Sequence, residues 1–185
     1  MTEFVTPTGA KYSLSHLAPS THFFGVTLDK QAYDLPVRVM YRDHCYTRSF
    51  VSGSDDPKFL FIPCVGEQRV FCPDRWAYSC GLPGIIENLL RQNAQCYCAT
   101  QDGLYFKIDS STVNRSVAPH AGWYLFFKFR PYRSGPGVVL SVESNHERTS
   151  WPSNARGRKP ARFRVLLTEY LRKRRDLLKG LCAKA

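Results

Sequence analysis

The chain has 185 residues, of which 43% are apolar and 14% aromatic, and its formal net charge is +11. That length suits one domain with a real core, and that apolar content excludes a disordered chain. No run approaches the roughly 18 apolar residues of a membrane span. Residues 1–16 lack the apolar segment of a secretion signal, so a soluble, cytoplasmic protein with no membrane partner is expected.

Residues 1–20 read as a loose lead-in broken by Pro7, Gly9 and Pro19. Residues 22–28, aromatic and β-branched, predict a strand. Pro36 opens a second strand over 36–50, where Val37, Val39 and Tyr41 alternate with Arg38, Met40 and Arg42. Period two marks a half-buried strand. That run ends in Asp43, His44, Cys45, Tyr46, Thr47 and Arg48, a concentration of reactive side chains that a purely structural strand rarely needs.

Residues 51–58 are loop by composition, 59–64 and 67–72 are short strands, and 73–76 form a turn. Residues 84–93 predict the middle helix, with Ile85, Ile86, Leu89 and Leu90 on one face and Asn93 at its end. Residues 95–100 and 104–108 flank Gln101-Asp102-Gly103, a hairpin signal. Residues 110–121 are a polar loop, 122–130 an aromatic strand and 131–137 a turn. Residues 138–142 are a short apolar strand that runs into a second polar cluster at 143–148.

Residues 149–159 are a basic linker. From Pro160, residues 161–181 predict a helix with an apolar stripe through Phe163, Leu166, Leu167, Tyr170 and Leu171, continuing at Leu177, Leu178 and Leu181. The expected fold class is α+β: a mainly antiparallel sheet, one middle helix and a basic amphipathic C-terminal helix. Residues 1–155 form one α+β domain, and 156–185 supply the linker and helix packed on it.

Seven cysteines with no export signal argue against a disulfide framework. Their spacing suits buried thiols better than zinc, with Cys96 and Cys98 sharing one strand face. No metal or other cofactor is expected. The charge is concentrated: ten lysines and arginines fall between 156 and 179, against Glu169 and Asp176. Such a segment favours a polyanion, RNA before DNA. Arg162, Arg172, Lys173, Arg174, Arg175 and Lys179 are the candidate contacts.

Metal-free RNA cleavage needs a base for the 2′-hydroxyl, an acid for the leaving 5′-oxygen and a cation for the phosphate. His44, Glu143 and His146 are the candidate proton carriers, and Arg48 and Arg148 the candidate clamps. These five sites require the clusters at 43–48 and 143–148 to share one edge of the sheet. Tyr46, Trp123, Tyr132 and Trp151 are candidates for stacking on bases. Phosphate-loop, dinucleotide, zinc-protease and serine-hydrolase motifs are absent from the sequence.

Over residues 36–148, strands ending in His/Arg/Glu-bearing segments, joined to basic helices, resemble in pattern the RelE-like and barnase/colicin-type ribonucleases of bacterial toxins. No motif of that group is matched residue for residue. The 43–48 run also resembles motifs in small bacterial proteins of mobile elements. The toxin resemblance implies a metal-independent endoribonuclease, a toxin or defence effector with an acidic partner such as an antitoxin. The alternatives are a non-catalytic nucleic-acid-binding regulator or accessory factor of a mobile element, and a module that binds an acidic protein.

Overall fold

The computed structural model describes residues 3–61, 67–99, 104–108, 121–151 and 159–181. One edge of its large sheet is a hairpin. Strand β3 (Ser20–Leu28) turns at Asp29 and Lys30 into β4 (Gln31–Tyr41). Both turn residues have positive φ, 50° and 68°, the twist that a two-residue hairpin requires. The gap between the strands expected over 22–28 and 36–50 is therefore only a two-residue turn, and Pro36 lies inside β4. It precedes Val37, the first β4 residue paired with the strand on the side away from β3, so its missing N–H falls where that side of β4 is still unpaired.

The N-terminal lead-in contains a small hairpin, β1 (Glu3–Val5) with β2 (Lys11–Ser13). After β4, residues Asp43–Cys45 form one 3-10 turn. A three-stranded sheet follows, β5 (Thr47–Ser49), β6 (Leu60–Phe61) and β7 (Arg69–Phe71), in the order β5-β7-β6. The turn expected at 73–76 is the first part of helix α1 (Pro73–Ser79), with proline at its start, where its missing N–H costs nothing. Helix α2 spans Leu82–Gln92.

The large sheet is completed by β8 (Gln95–Cys98), β9 (Leu104–Ile108), β10 (Gly122–Pro131), β11 (Val138–Arg148) and β12 (Ala161–Arg162). Its order is β12-β8-β9-β10-β11-β4-β3. The α+β class holds, but the sheet is mixed where a mainly antiparallel one was expected. β11 lies parallel to β4, with Val37 opposite Val138 and Tyr41 opposite Val142. The hairpin between 101 and 103 and the loop at 110–120 lie outside the described residues, as do Arg156, Arg158, Cys64 and Cys182.

One face of the sheet carries the main core, and a second, smaller cluster of Phe106, Tyr124 and Phe126 is buried on the other. Leu35, Val37 and Val39 of β4, Phe127 and Phe129 of β10 and Leu140 of β11 meet Leu82, Ile86 and Leu89 of α2. Helix α3 (Phe163–Lys173) adds Phe163, Leu166, Leu167 and Leu171 to the same cluster. Burying each of these side chains contributes roughly 1.5–3 kcal/mol before entropy is counted. The helix expected over 161–181 ends at Lys173, and a separate 3-10 turn, Arg175–Leu178, follows. The next position in the stripe after Leu171 is Arg174, a cation where the core needs an apolar group. The chain leaves the helix there and buries Leu177 instead.

Asn93 joins the two long helices. It ends α2 in the left-handed region (φ 48°), and its Oδ1 accepts the Arg164 N–H at 2.7 Å, satisfying an orphan donor of α3. Asn93→Ala is expected to lower unfolding free energy in urea by about 1–2 kcal/mol. Asn93→Gly, which retains the turn and loses only the cap, is expected to lose less. Equal losses would assign the whole effect to the cap.

Gly137 marks the entry to β11. Its φ is +115°, and a Cβ there would stand 2.4 Å from the Pro36 carbonyl oxygen. Only glycine lets the backbones of β4 and β11 approach so closely at the start of their parallel pairing.

Candidate functional site

The second polar cluster continues β11, which was expected to end at 142, and a β-bulge explains the change of pattern there. Phe127 pairs with Val142 while Phe126 pairs with Ser144, which leaves Glu143 as the extra residue. Without the bulge, Ser144 would point to the core and His146 would follow it. With it, Ser144, His146 and Arg148 fall on the same face as Glu143, and Asn145 takes the buried side, fully inaccessible. Re-aiming side chains beside a functional cleft is a recurrent use of bulges.

The other cluster is delivered by β4. Val142 is its last partner on β11, opposite Tyr41, and the Arg42 N–H donates to the Val142 carbonyl at 2.9 Å. The 3-10 turn then sends Cys45 inward and leaves His44 half exposed. The Cys45 thiol donates to the Val142 carbonyl (3.7 Å), and burial pushes its pKa far up. It is a buried neutral thiol and no nucleophile.

The two clusters meet in one cleft of about 330 Å³. It is lined by Arg42, His44, Glu143, Ser144, His146 and Arg148, with Leu104 and Phe126 as apolar walls. Four of the five sequence candidates, His44, Glu143, His146 and Arg148, share it.

Their protonation states differ by cause. Burial and the Arg69 charge lower the His44 pKa, against the opposing pull of Asp43 and Glu67. Asp43 Oδ1 lies 3.9 Å from its Nε2. His146 is lowered further, to about 4, by burial and then by Arg75 and Arg148. Its ring stacks on Phe126 at 5.1 Å, and its buried Nδ1 has no hydrogen-bond partner. Protonating that ring puts an unpaired N–H in a dry position, which reinforces the neutral form. Burial alone would raise Glu143, but hydrogen bonds from Arg130 and Ser141 and the charges of Arg130 and Lys128 outweigh it and lower its pKa. Arg130 reaches Glu143 at 2.9 Å. Free in neutral solution, the cleft thus holds two neutral imidazoles, a carboxylate and two guanidiniums.

Arg48 lies elsewhere. It chelates Asp55 with both terminal nitrogens and lines a separate cleft with Thr6, Tyr12 and Phe71. Three of the four stacking candidates are also engaged inside the molecule. Trp123 stacks on Tyr78 at 4.2 Å, Trp151 packs edge-on to Tyr97 at 4.6 Å, and Tyr46 packs against the main core. Tyr132 instead lies beneath Arg38, whose guanidinium is 5.6 Å from the ring centre.

The basic candidates of the terminal segment lie outside the cleft. Arg162, Arg172, Lys173, Arg175 and Lys179 are exposed. Arg174 pairs with Asp176 at 3.0 Å and Arg175 with Asp29 at 2.9 Å. Arg172 and Lys173 occupy the last turn of α3, where cations also complement the helix dipole.

Arg42, Ser144 and Arg75 were not among the candidates. Arg42 was legible: it continues the Arg38–Met40 side of an alternating strand. Ser144 was hidden by the bulge. Arg75 hydrogen-bonds the His44 and Thr47 carbonyls at 3.2 and 2.7 Å from α1, holding the 3-10 turn in place. Nothing in the sequence ties 75 to 44.

Among the described residues, no group of three or more His, Cys, Asp or Glu is placed to hold a metal ion, and no helix is long and apolar enough to cross a membrane. Burial pushes the Cys96 thiol up to about 12. In comparison with known proteins, the model of the YjaZ family matches residues 3–171. No curated protein and no solved structure matches the chain.

Proposed function

The chain belongs to the YjaZ family, and from the chemistry of its cleft we propose that it binds RNA there and cleaves it without a metal ion. The observation that carries this reading is the convergence of His44 and His146 with Arg42 and Arg148 in one cleft. Two imidazoles supply proton transfer, and two guanidiniums supply the charge that an anionic phosphorane transition state needs.

His44 acts as the base. It is half exposed and neutral, so it accepts the 2′-hydroxyl proton as the oxygen attacks phosphorus. The leaving 5′-oxygen then needs a proton. Glu143 does not give it, because Arg130 and Ser141 hold it as a carboxylate. His146 gives it once substrate is bound: the phosphate charge offsets Arg75 and Arg148 and raises the pKa of the ring. The acid form is scarce in the free protein at neutral pH, because burial still favours the neutral ring, and it gains population in the complex.

This assignment fixes a pH dependence. The base arm of kcat/KM falls as pH drops through the His44 pKa, which lies below the usual imidazole value of about 6.5. The acid arm falls as pH rises above the His146 pKa, about 4 in the free protein. The profile is expected to be bell-shaped with its optimum below pH 6.5. Cleavage of labelled RNA in EDTA across pH 4 to 9 tests it. An alkaline optimum contradicts the assignment, and intact RNA at every pH removes catalysis altogether.

A second reading is favoured by the same numbers. With both imidazoles neutral and Glu143 already paired, the cleft suits passive binding of a phosphate through Arg42 and Arg148. The protein is then a non-catalytic nucleic-acid-binding factor, and salt-sensitive binding without cleavage identifies it.

A further inference from the structure

The face of the sheet opposite α2 and α3 carries a line of cations that leads away from the cleft. Val139 of β11 is flanked by Arg38 on β4 and Arg130 on β10, and Ser141 by Met40 and Lys128 in the same way. Paired residues project to the same side of a sheet. Arg38, Lys128 and Arg130 therefore stand over β11, and Arg42 and Arg148 continue the line into the cleft.

At the far end Arg38 donates to the Tyr132 hydroxyl at 3.2 Å. Tyr132 in turn lines a groove of about 680 Å³ with Arg133, Arg174 and Lys179. Two carboxylates on this path, Glu143 and Asp176, are paired with Arg130 and Arg174, and Asp34 stands exposed on the same face of β4 beyond Pro36. Two large apolar side chains stand exposed beside it on the same face: Met40, 42% accessible, and Phe23, 74% accessible. Phe23 is next to Pro36 on the neighbouring strand.

We infer that the part of this face over β11 and β4, which among the described residues lies beside the buried cluster of Phe106, Tyr124 and Phe126 and not under it, is a track for single-stranded RNA, running along β11 from the cleft to the groove at Tyr132 and the 174–179 turn. The inference rests on the RNA reading of the cleft and names the form of substrate it takes. The physical grounds are spacing and shape. Alternate residues of a strand lie about 6.6 Å apart and neighbouring strands about 4.8 Å apart. The cations therefore form a narrow ribbon suited to one backbone. From Arg148 to Val138 β11 spans roughly 30 Å, room for about 5 nucleotides, near the low end of site sizes for single-strand-binding folds. Phe23, Met40 and the Tyr132 ring offer flat or soft apolar surface to unpaired bases, which a duplex hides in its stack.

The track also reassigns the basic terminal segment. Arg174 and Lys179 belong to it, whereas Arg172 and Lys173 lie on α3, which packs against the other face of the sheet.

The test uses full-length His44→Ala protein, so that RNA stays intact, and fluorescence anisotropy with single-stranded RNAs of two, five and eight nucleotides and an eight-base-pair duplex. Affinity is expected to rise from two to five nucleotides and then level off, with the duplex weaker. Adding Arg38→Glu and Lys128→Glu is expected to weaken the octanucleotide at least about tenfold and the dinucleotide far less. Lys128→Glu with Arg133→Glu, which leaves the Arg38–Tyr132 contact intact, is expected to act in the same direction. Arg172→Glu with Lys173→Glu is expected to change little. Length-independent affinity, equal binding of duplex, or an equal loss from the α3 pair each overturns the track. The two readings fail separately. If wild type leaves RNA uncut but the length dependence holds, cleavage falls and the track stands. If RNA is cut but the octanucleotide ignores Arg38 and Lys128, the track alone falls.

Discussion

Gly137→Ala is expected to cost about 2–4 kcal/mol of folding free energy and to lower the unfolding midpoint by roughly 10 °C in a thermal scan. Two effects add. The backbone at +115° lies in a region that L side chains rarely adopt, and the new Cβ would meet the Pro36 carbonyl oxygen at 2.4 Å. A clash with backbone is not relieved by a rotamer change, so β4 and β11 must separate where their parallel pairing begins. Gly135→Ala, two residues earlier, is the control. Its Cβ meets only the Tyr132 ring, at 3.8 Å, and the midpoint is expected to stay within the error of the scan. A Gly137→Ala protein as stable as wild type would show that the turn at 131–137 relaxes around the added methyl.

The second large effect is functional. His44→Ala is expected to reduce RNA cleavage by about 10²–10⁴-fold, the usual contribution of a positioned general base, equivalent to roughly 3–5 kcal/mol of barrier. Affinity for RNA is expected to remain, because Arg42 and Arg148 are untouched. Stability is expected to remain as well: the His44 imidazole is half exposed, and Arg75 grips the backbone carbonyl, which alanine retains. The measurement pairs a single-turnover cleavage rate in EDTA with a urea unfolding curve. A His44→Ala protein that cleaves at the wild-type rate would remove His44 from the chemistry. A protein that unfolds far earlier than wild type would make the loss a stability effect.

The parts of this molecule that were legible in its sequence are those where a period runs undisturbed. Val37 and Val39 alternate with Arg38 and Met40, and β4 is there. Ile86, Leu89 and Leu90 recur at helical spacing, and α2 buries them. The illegible parts are those where one residue interrupts the rule. The bulge at Glu143 shifts the phase of β11, so the strand reads as ending at Val142 although it continues to Arg148. Arg174 breaks the apolar stripe of the terminal segment, and the helix stops. Pro73 reads as a turn residue but starts a helix.

The candidate site divides in the same way. His44, Glu143, His146 and Arg148 could be named because reactive types cluster at two points in the chain. Their sharing of one cleft depends on the β4–β11 pairing, a contact across roughly a hundred residues that no local pattern encodes. Arg48 belongs to the first cluster by position, but its direction is set by Asp55. A cluster in sequence gives proximity only until the chain next turns.

The parallel pairing of β4 and β11 also governs when the protein becomes itself. During synthesis β4 emerges with its hairpin partner β3 long before β11 exists. Until residue 148 has left the ribosome, β4 has one open edge, and the arginines and histidines that line the cleft are not assembled. Contacts of such long sequence separation form late and slow folding. An unpaired strand edge is a template for other chains in the interval. The protein thus passes through a stage in which its aggregation hazard is greatest and its cleft is not yet formed. A ribosome-stalled series of lengthening chains would register that stage as protease sensitivity in β4, ending when β11 docks.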